Sequence, residues 1–479
     1  MSLRKQTISG IIWTIADTFF LKGLTFIASI ILARILGPTE FGLIGMISVF
    51  IAIGITMVNS GLSSSLIRTK NANDSDFTTV FYLNIAISLL VFLLFYIVAP
   101  YIAQFYNQEI LTNIIRLYSF SFVISAFSAV QLAILNKNMQ FRKIMQFNIP
   151  GTVIGVVLGI SLGYLGYGVW SIIWMYLSTQ LINSFILWVF SSWKPSFLFS
   201  FEKMKYHFGF GYKLLLSGLL NTVFSNIYNI VIGKFFTVQS LGYFERAKTF
   251  NEYPVTVLTG VIDRVTYPLM SKIQDEKERI AEVYKQLLQF SFFITAPLMF
   301  GAAALAYPLF ELVLGDKWLP AAEYFQIMCL ASMFYPVHAF NINILKVYGR
   351  SDLFLKLEII KKVVLVVGLL IAFPFGILGL VWSSVITSFI ALLINMHYST
   401  DMIAYNTSQQ LKDMLPAFLS GIFTFIGMYE IVHLIQDYSI YLQITVSACF
   451  GIFFYIIVNY FLKSTPMLFA LKLLKERKL

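Results

Sequence analysis

The chain has little charge, few histidines and almost no cysteine. Only 12% of its 479 residues are charged, whereas a soluble domain carries about 25%. Two cysteines, Cys329 and Cys449, and four histidines provide neither a disulfide framework nor a metal-ligand spacing. The sequence also has no phosphate-binding glycine loop, nucleophile elbow or dinucleotide fingerprint. We therefore expect no catalytic residue, no metal and no cofactor.

Apolar sequence fills most of the chain instead. Hydrophobic residues make up 58% of it, and the mean hydropathy is +0.79. Fourteen stretches of about 20 apolar residues are each long enough to cross a hydrocarbon core of about 30 Å. This pattern predicts an all-α integral membrane protein with about 14 transmembrane helices. The predicted spans are 8–33, 41–66, 77–103, 111–135, 146–164, 168–191, 209–234, 241–269, 286–308, 322–346, 358–377, 379–397, 412–435 and 441–462.

The distribution of basic residues predicts the orientation of these spans. If the N-terminus is cytoplasmic, the cytoplasmic connections hold 25 of the 34 Lys and Arg residues and the outer connections hold 4. Cytoplasmic connections of membrane proteins are enriched in this way, so we expect both termini inside. The net charge of +11 then reflects topology and not a nucleic-acid partner. Residues 1–7 precede a long apolar span without a small-residue cleavage site, which favours a retained first span.

The membrane pattern occurs twice. The sequence IILARILGPTEFG ends at Gly42, and its counterpart IVIGKFFTVQSLG ends at Gly242, 200 residues later. Further matches follow in the same order, for example Val-Trp-Ser at 169–171 and at 381–383. Six spans per copy place both copies in the same orientation, and internal repeats of this kind are typical of transporters. The expected parts are an N-terminal lobe at 1–196, a pseudo-symmetric C-terminal lobe at 205–400 and a helix pair at 410–479.

Four segments carry a family resemblance. They are LARILGPTEFGLIGM at 32–46, GLSSSLIR at 61–68, SLGYFERAKTF at 240–250 and DRVTYPLMSKIQDEKER at 263–279. The chain resembles the polysaccharide flippases of the multidrug/oligosaccharidyl-lipid/polysaccharide superfamily, and among them the Wzx-type exporters of teichuronic and colanic acid units. The resemblance implies two six-helix lobes in a MATE-like V around a central cavity, with two extra C-terminal helices. The chain departs from the family at Thr237-Val238, where members often have Gly-Pro.

The resemblance also implies a function. It predicts a flippase that moves an undecaprenyl-pyrophosphate-linked oligosaccharide across the inner membrane by alternating access. The expected partners are this lipid-linked oligosaccharide, the membrane, and the polymerase and glycosyltransferases of the same pathway. A multidrug exporter of the same superfamily is the nearest alternative. A membrane polysaccharide polymerase is less favoured, because the longest outer connection, 308–322, has only about fifteen residues.

The eighth predicted span contains several charged residues. Charges in hydrocarbon are costly, so each is a candidate for function. Arg246 and Arg264 are 18 residues apart, or five helical turns, so they share a face on which Tyr253 also lies. This face is our candidate for contact with the pyrophosphate. The alternative is that Arg246 extends to the outer surface and Arg264 to the inner one. Lys248 forms a ladder with two glutamates three and four residues away, which is either structural or part of the site.

Other polar residues in the predicted spans complete the candidate site. Asp17 and Lys22 are about 140° apart on the first helix, so each needs a partner elsewhere. Asp17 is a candidate for proton or cation coupling, or for a buried structural pair, and Lys22 is a candidate for phosphate contact. His338 and Asn341, with Gln131 as the pseudo-equivalent of Asn341, are candidates for binding sugar hydroxyls. Hydrogen bonds between helices are the alternative for these three.

Reporter fusions after residues 70, 108, 194 and 479 test the topology. Because the cytoplasmic connections hold most of the cations, we expect these fusions to report inside, outside, inside and inside. An alkaline phosphatase that is active outside and a fluorescent protein that is active inside check each position independently. An outer C-terminus would contradict the fourteen-span topology.

Overall fold

The computed structural model describes the backbone of residues 3–59, 61–400 and 402–469. Within these ranges, every side chain is described except those of 3–12, 14–16, 18, 256–265, 267 and 268. The described backbone contains nineteen α-helices, two short 3-10 helices and no β-strand, which confirms the all-α class. The chain packs as two compact units, Met1–Gly242 and Tyr243–Leu479, called here unit 1 and unit 2.

Unit 1 contains ten helices and the first turn of an eleventh. They are α1 (Leu3–Ile35), α2 (Pro38–Asn59), α3 (Leu62–Arg68), α4 (Asp74–Tyr106), α5 (Ile110–Tyr118), α6 (Phe120–Lys137), α7 (Phe141–Tyr164), α8 (Val169–Phe190), α9 (Phe201–Ser225), α10 (Ile227–Phe235) and α11 (Val238–Lys272). Close packing of α7 on α8 depends on Gly151, Gly155 and Gly159, which recur every fourth residue. A Cβ at any of them would lie 2.0–2.6 Å from an α8 side chain. Small residues at this spacing let membrane helices approach closely.

Unit 2 contains the rest of α11 and eight further helices. They are α12 (Lys277–Ala304), α13 (Ala306–Leu314), α14 (Leu319–Ser332), α15 (Tyr335–Val347), α16 (Ser351–Ala372), α17 (Gly376–Thr400), α18 (Thr407–Leu434) and α19 (Ile440–Phe461). Short 3-10 helices precede α14 and α17. In the described residues, ten helical segments are long and apolar enough to cross a membrane, or eleven with the bent pair α9–α10. The chain is therefore a multi-pass membrane protein, and the count of fourteen crossings stays a prediction.

Several predicted continuous spans are broken helices. The predicted span 209–234 bends by 47° between α9 and α10, where the Asn226 amide donates to the Thr222 carbonyl (2.8 Å). Such local side-chain bonds compete with the helical ladder. The predicted span 322–346 breaks between α14 and α15, just before Pro336, which has no N–H to donate. Continuous apolar sequence did not reveal the break at Asn226.

The hairpin α16–α17 forms where the sequence predicted two spans, 358–377 and 379–397. A 3-10 turn at Phe373–Phe375 separates the helices, and Gly376 follows with φ +73°, a conformation that favours glycine. The two helices then pack side by side. A Cβ at Gly368 of α16 would lie 2.5 Å from Cγ2 of Thr387 on α17, so a glycine is needed at this crossing.

The repeated glycines Gly42 and Gly242 meet each other's helices within unit 1. A Cβ at Gly42 of α2 would lie 1.9 Å from the carbonyl oxygen of Val238. A Cβ at Gly242 of α11 would lie 1.9 Å from the carbonyl oxygen of Pro38. The contact is reciprocal. Gly42 and Gly242 are 200 positions apart, as are Pro38 and Val238, which fits the predicted duplication. Only residues without a side chain allow the first turns of α2 and α11 to pack this closely.

Substituting Gly42 by Ala should destabilise unit 1. The added methyl group would overlap the Val238 carbonyl oxygen, and overpacking of this kind costs about 1–3 kcal/mol. Gly209→Ala is the matched control, because a Cβ at Gly209 has nothing within 4 Å. Thermal unfolding of the purified protein in detergent checks both variants. Equal melting temperatures would contradict the close approach of α2 and α11.

Candidate functional site

The charged residues predicted for the eighth span lie on α11. This helix continues through Pro254 without a break in its helical assignment. Arg246 is only 8% exposed, so its guanidinium group lies inside the protein. Lys248 and Tyr253 are partly buried. The side chain of Arg264 lies outside the described residues. A buried arginine needs polar or anionic surroundings, which makes Arg246 the central cation of the candidate site.

The two charged residues of the first span differ in exposure. Lys22 is exposed on α1, whereas Asp17 is partly buried. Oδ1 of Asp17 is buried, and the described residues provide no hydrogen-bond partner for it. Among the described side chains, Asp17 and Lys22 do not form an ion pair with each other, as their spacing predicts. Both stay candidates for function.

A polar cluster surrounds the break between α14 and α15 in unit 2. Ser332 at the end of α14 donates a short hydrogen bond to the side-chain oxygen of Asn251 on α11. The Asn251 amide in turn donates to Sγ of Cys329 (3.4 Å). From α12, the Thr295 hydroxyl donates to the backbone carbonyl of Met333 (3.2 Å), next to the carbonyl that Pro336 leaves without its helical donor. Neighbouring helices therefore supply the hydrogen bonds that the broken helix lacks.

The predicted residues His338 and Asn341 lie on α15, beside this break. The Asn395 amide of α17 contacts Nδ1 of His338 (2.9 Å), and Nε2 of His338 lies 3.4 Å from Oγ of Ser388. Ser399, also on α17, donates to the side-chain oxygen of Asn341 (2.5 Å). Asn341 is fully buried. These contacts hold α15 against α17, as the alternative of interhelical hydrogen bonding predicted, and leave the role in sugar binding a prediction.

The predicted residue Gln131 has a different environment in unit 1. Gln131 on α6 is fully buried, and so is Asn84 on α4. For both amide groups, neither the nitrogen nor the oxygen has a hydrogen-bond partner in the described part of the chain. An unsatisfied buried amide costs about 1–3 kcal/mol. Water or a polar ligand would remove this cost, so these amides are the best neutral candidates for contact with a substrate.

The sequence did not predict a buried network that joins α3, α4 and α9. His207 is fully buried on α9, with Nδ1 2.8 Å from Oγ of Ser65 and Nε2 3.2 Å from Oδ1 of Asp76. The Lys203 ammonium lies 2.8 Å from Oδ2 of the same carboxylate. Asp76 also closes a capping box with Asn73 at the start of α4. In the sequence, His207 follows Lys203 by four residues, so a helix places both side chains on one face, and this spacing was the available signal for the network.

This network connects the segment between α8 and α9 to the start of α4. The Asp74 carboxylate accepts from Nε1 of Trp193 (2.7 Å) and from the Ser196 hydroxyl (2.8 Å). The Ser200 backbone N–H donates to the Thr79 hydroxyl (3.1 Å). The two acidic residues in the first turn of α4 also complement the positive end of the helix dipole. The arrangement positions α4 and α9 against each other.

The sequence profile of a family described as "Polysaccharide biosynthesis protein" matches residues 31–323, more than half of the chain. The teichuronic acid biosynthesis protein TuaB of Bacillus subtilis is 26% identical over 462 residues, which cover 93% of this chain and 94% of that protein. The lipopolysaccharide biosynthesis protein WzxC of Escherichia coli is 24% identical over 363 residues, covering 75% and 74%.

Solved structures show the same fold at low sequence identity. The lipid II flippase MurJ in an inward closed conformation matches with a TM-score of 0.75 at 16% identity, over 95% of this chain and 99% of that one. An inward-facing MATE family multidrug transporter matches with a TM-score of 0.60 at 18% identity, over 81% and 95%. The fold of the chain is therefore that of MurJ and the MATE transporters.

Replacing His207 by Ala should destabilise the protein. The change leaves a cavity, removes the partner of Ser65 and takes one hydrogen bond from the Asp76 carboxylate, which together cost about 2–4 kcal/mol. His397→Ala is the matched control, because His397 is exposed. Thermal unfolding in detergent measures both, and a stable His207→Ala protein would show that the network does not hold α9 in place.

Proposed function

We propose that this chain, which belongs to the polysaccharide biosynthesis protein family, moves a lipid-linked oligosaccharide from one membrane leaflet to the other. The observation that carries this proposal is the family match over residues 31–323. Relatives similar over most of the chain are named for teichuronic acid and lipopolysaccharide biosynthesis. The fold shared with a lipid II flippase gives independent support, because lipid II is also a lipid-linked saccharide.

The proposed arrangement is the one expected from the sequence. Fourteen spans place both termini in the cytoplasm, and the protein resides in the inner membrane. The duplicated parts act as two lobes that expose the site alternately to each side. The lobes are residues 1–196 and 205–400, and the pair 410–479 is additional. The distribution of Lys and Arg supports this orientation.

Arg246 is the proposed contact for the pyrophosphate. An arginine stays charged even when buried, and its planar group binds two phosphate oxygens at once. Its position inside unit 2, with an exposed fraction of 8%, shelters that charge from water and strengthens its attraction for an anion. Lys248 and Tyr253 follow within two turns of the same helix. We propose that Arg264, five turns farther along α11, contacts the pyrophosphate at another stage of transport.

The oligosaccharide needs hydrogen-bonding groups without charge. Asn84 and Gln131 in unit 1 present both amide atoms without a described partner, so they can exchange water for sugar hydroxyls. Asn341 and His338 already bond to α17 and would have to exchange those bonds for a sugar. We therefore rank the unit 1 amides above the α15 residues as sugar contacts.

The proposed activity is transport without covalent chemistry. Asp17 is the proposed coupling site for a proton or cation, since its buried oxygen has no described partner. The polymerase and glycosyltransferases of the same pathway are the proposed protein partners. A multidrug exporter stays the alternative, because MATE transporters share the fold. The polysaccharide names of TuaB and WzxC favour the lipid-linked substrate.

Replacing Arg246 by Ala should reduce polysaccharide export. Loss of a charge-assisted hydrogen bond of about 1.5–3 kcal/mol corresponds to roughly a ten- to hundredfold reduction. Arg246→Lys should retain part of the activity, since the charge remains but the bidentate geometry does not. The measurement is surface polysaccharide in a flippase-deficient strain, normalised to the amount of membrane-inserted protein.

The control for this experiment is Arg279→Ala, because Arg279 is exposed and pairs with Glu276 three residues away. This variant should export normally. Resistance of the same strains to cationic drugs tests the alternative function. Drug resistance without polysaccharide export by the unmodified chain would overturn the proposed substrate. Full export by an Arg246→Ala, Arg264→Ala double variant would remove both arginines from the site.

A further inference from the structure

An apolar groove runs along the hairpin α16–α17 in unit 2. Its volume is about 710 Å³, within the range of about 300–1,000 Å³ that is typical of ligand sites. Val363, Val367 and Ile371 line one side and Trp382 and Ile386 the other. Gly368 forms the floor, because it lets the two helices approach. The walls are ordered by helix packing, so the groove exists before anything occupies it.

A cation lies on α16 about two turns beyond the first residue that lines the groove, Val363. Lys356 precedes Val363 and Val367 by seven and eleven residues, or about two and three turns, so the three share one face of α16. The exposed Ile359 continues the apolar surface between them. The Lys356 ammonium lies over the ring of Tyr398 on α17, 5.4 Å from its centroid, which places the lysine beside both helices.

Lys356 has no acidic partner among the described side chains, unlike the nearby Lys361. Among the described side chains, no carboxylate lies within ion-pair distance of Lys356, whereas Lys361 pairs with Glu358. Lys356 is also exposed, so an anion can reach it. From Lys356 to Ile371 the helix rises about 22 Å, most of a hydrocarbon core of about 30 Å. One face of α16 therefore presents a cation followed by a long apolar groove.

We propose that this groove binds a polyisoprenoid chain whose phosphate headgroup contacts Lys356. The inference rests on the proposed function and extends it. The tail of the lipid-linked substrate would not stay in bulk lipid, as the simplest transport scheme assumes, but would be seated on α16–α17 while the headgroup enters the protein.

Two physical arguments select this ligand. Lipid tails are as apolar as the groove, so an uncharged chain gains no hydrophobic energy by entering it and needs an additional contact. The Lys356 charge gives that contact to an anionic headgroup at the membrane surface. The groove is also a single channel between two helices, which suits one long chain better than the two chains of a phospholipid. A phospholipid remains the competing occupant for the test.

Photo-crosslinking can identify the occupant. The full chain, with p-benzoylphenylalanine in place of Ile371, is placed in nanodiscs that contain labelled undecaprenyl phosphate. The same replacement at Leu370 is the matched control, because Leu370 is 70% exposed and Ile371 66% but only Ile371 lines the groove. We expect clearly stronger labelling at position 371. A replacement at Val367 repeats the measurement if the Ile371 variant does not fold.

The same photo-crosslinking assay tests whether the Lys356 charge contributes to binding. Lys356→Gln should reduce labelling at position 371 about fivefold, the effect of one lysine on an anionic headgroup at a membrane surface. Lys412→Gln, which removes an exposed lysine from α18, should leave labelling unchanged. Equal labelling at 371 and 370, or no effect of Lys356→Gln, would overturn the proposal.

Two further outcomes separate the groove from the proposed function. Excess unlabelled phosphatidylglycerol should not compete with undecaprenyl phosphate, and equal competition would show that the groove holds bilayer lipid. Labelling does not depend on transport. Specific labelling in a chain that fails to export polysaccharide would support the groove and contradict the proposed function. Normal export without specific labelling would contradict the groove and support the proposed function.

Discussion

Backbone N–H and C=O groups that enter the hydrocarbon must find hydrogen-bond partners within the protein, and this constraint shapes the helices and the places where they break. No water is available there, so helices satisfy the backbone internally. At two helix breaks a polar side chain bonds to a backbone carbonyl, from a neighbouring helix in one case and from the break residue itself in the other. Thr295 of α12 donates to the carbonyl of Met333 beside the Pro336 break, and Asn226 covers the Thr222 carbonyl at the α9–α10 bend. At both breaks a polar side chain lies within hydrogen-bond distance of a backbone carbonyl.

The same constraint explains what the sequence could predict. Helical class follows from apolar segments of sufficient length, which is a property of the linear sequence, and the structure agrees. The hairpin at Phe373–Phe375 could also be predicted, because proline and glycine interrupt the apolar sequence there. The bend at Asn226 could not. Asparagine occurs at many positions in the chain, and whether it breaks a helix depends on its neighbours in space.

The candidate site also contains residues that the sequence could identify and contacts that it could not. Arg246 is buried on α11, whereas the sequence left open whether its charge lies inside the protein or extends to the outer surface. The His207–Asp76 contact joins residues that are 131 positions apart, and no local pattern reports such a distance. Gln131 was chosen for its match to Asn341, yet the two amides differ. Asn341 is bonded to α17, whereas the Gln131 amide has no described partner. The predicted equivalence of these two positions therefore does not extend to their hydrogen bonding.

The distribution of charge also bears on how a carrier could release its substrate. In the proposed mechanism, neutral amides such as Asn84 and Gln131 would form hydrogen bonds of modest net strength, about 0.5–1.5 kcal/mol each, which sugars would exchange one at a time. A phosphate needs a cation, but several cations around it would hold it too tightly to leave. Arg246 inside unit 2 and Lys356, which lies on α16 beyond the α16–α17 groove, are separate cations on different helices. In the proposed mechanism, separate contacts of this kind would hold the headgroup at one cation at a time, so that neither cation traps it.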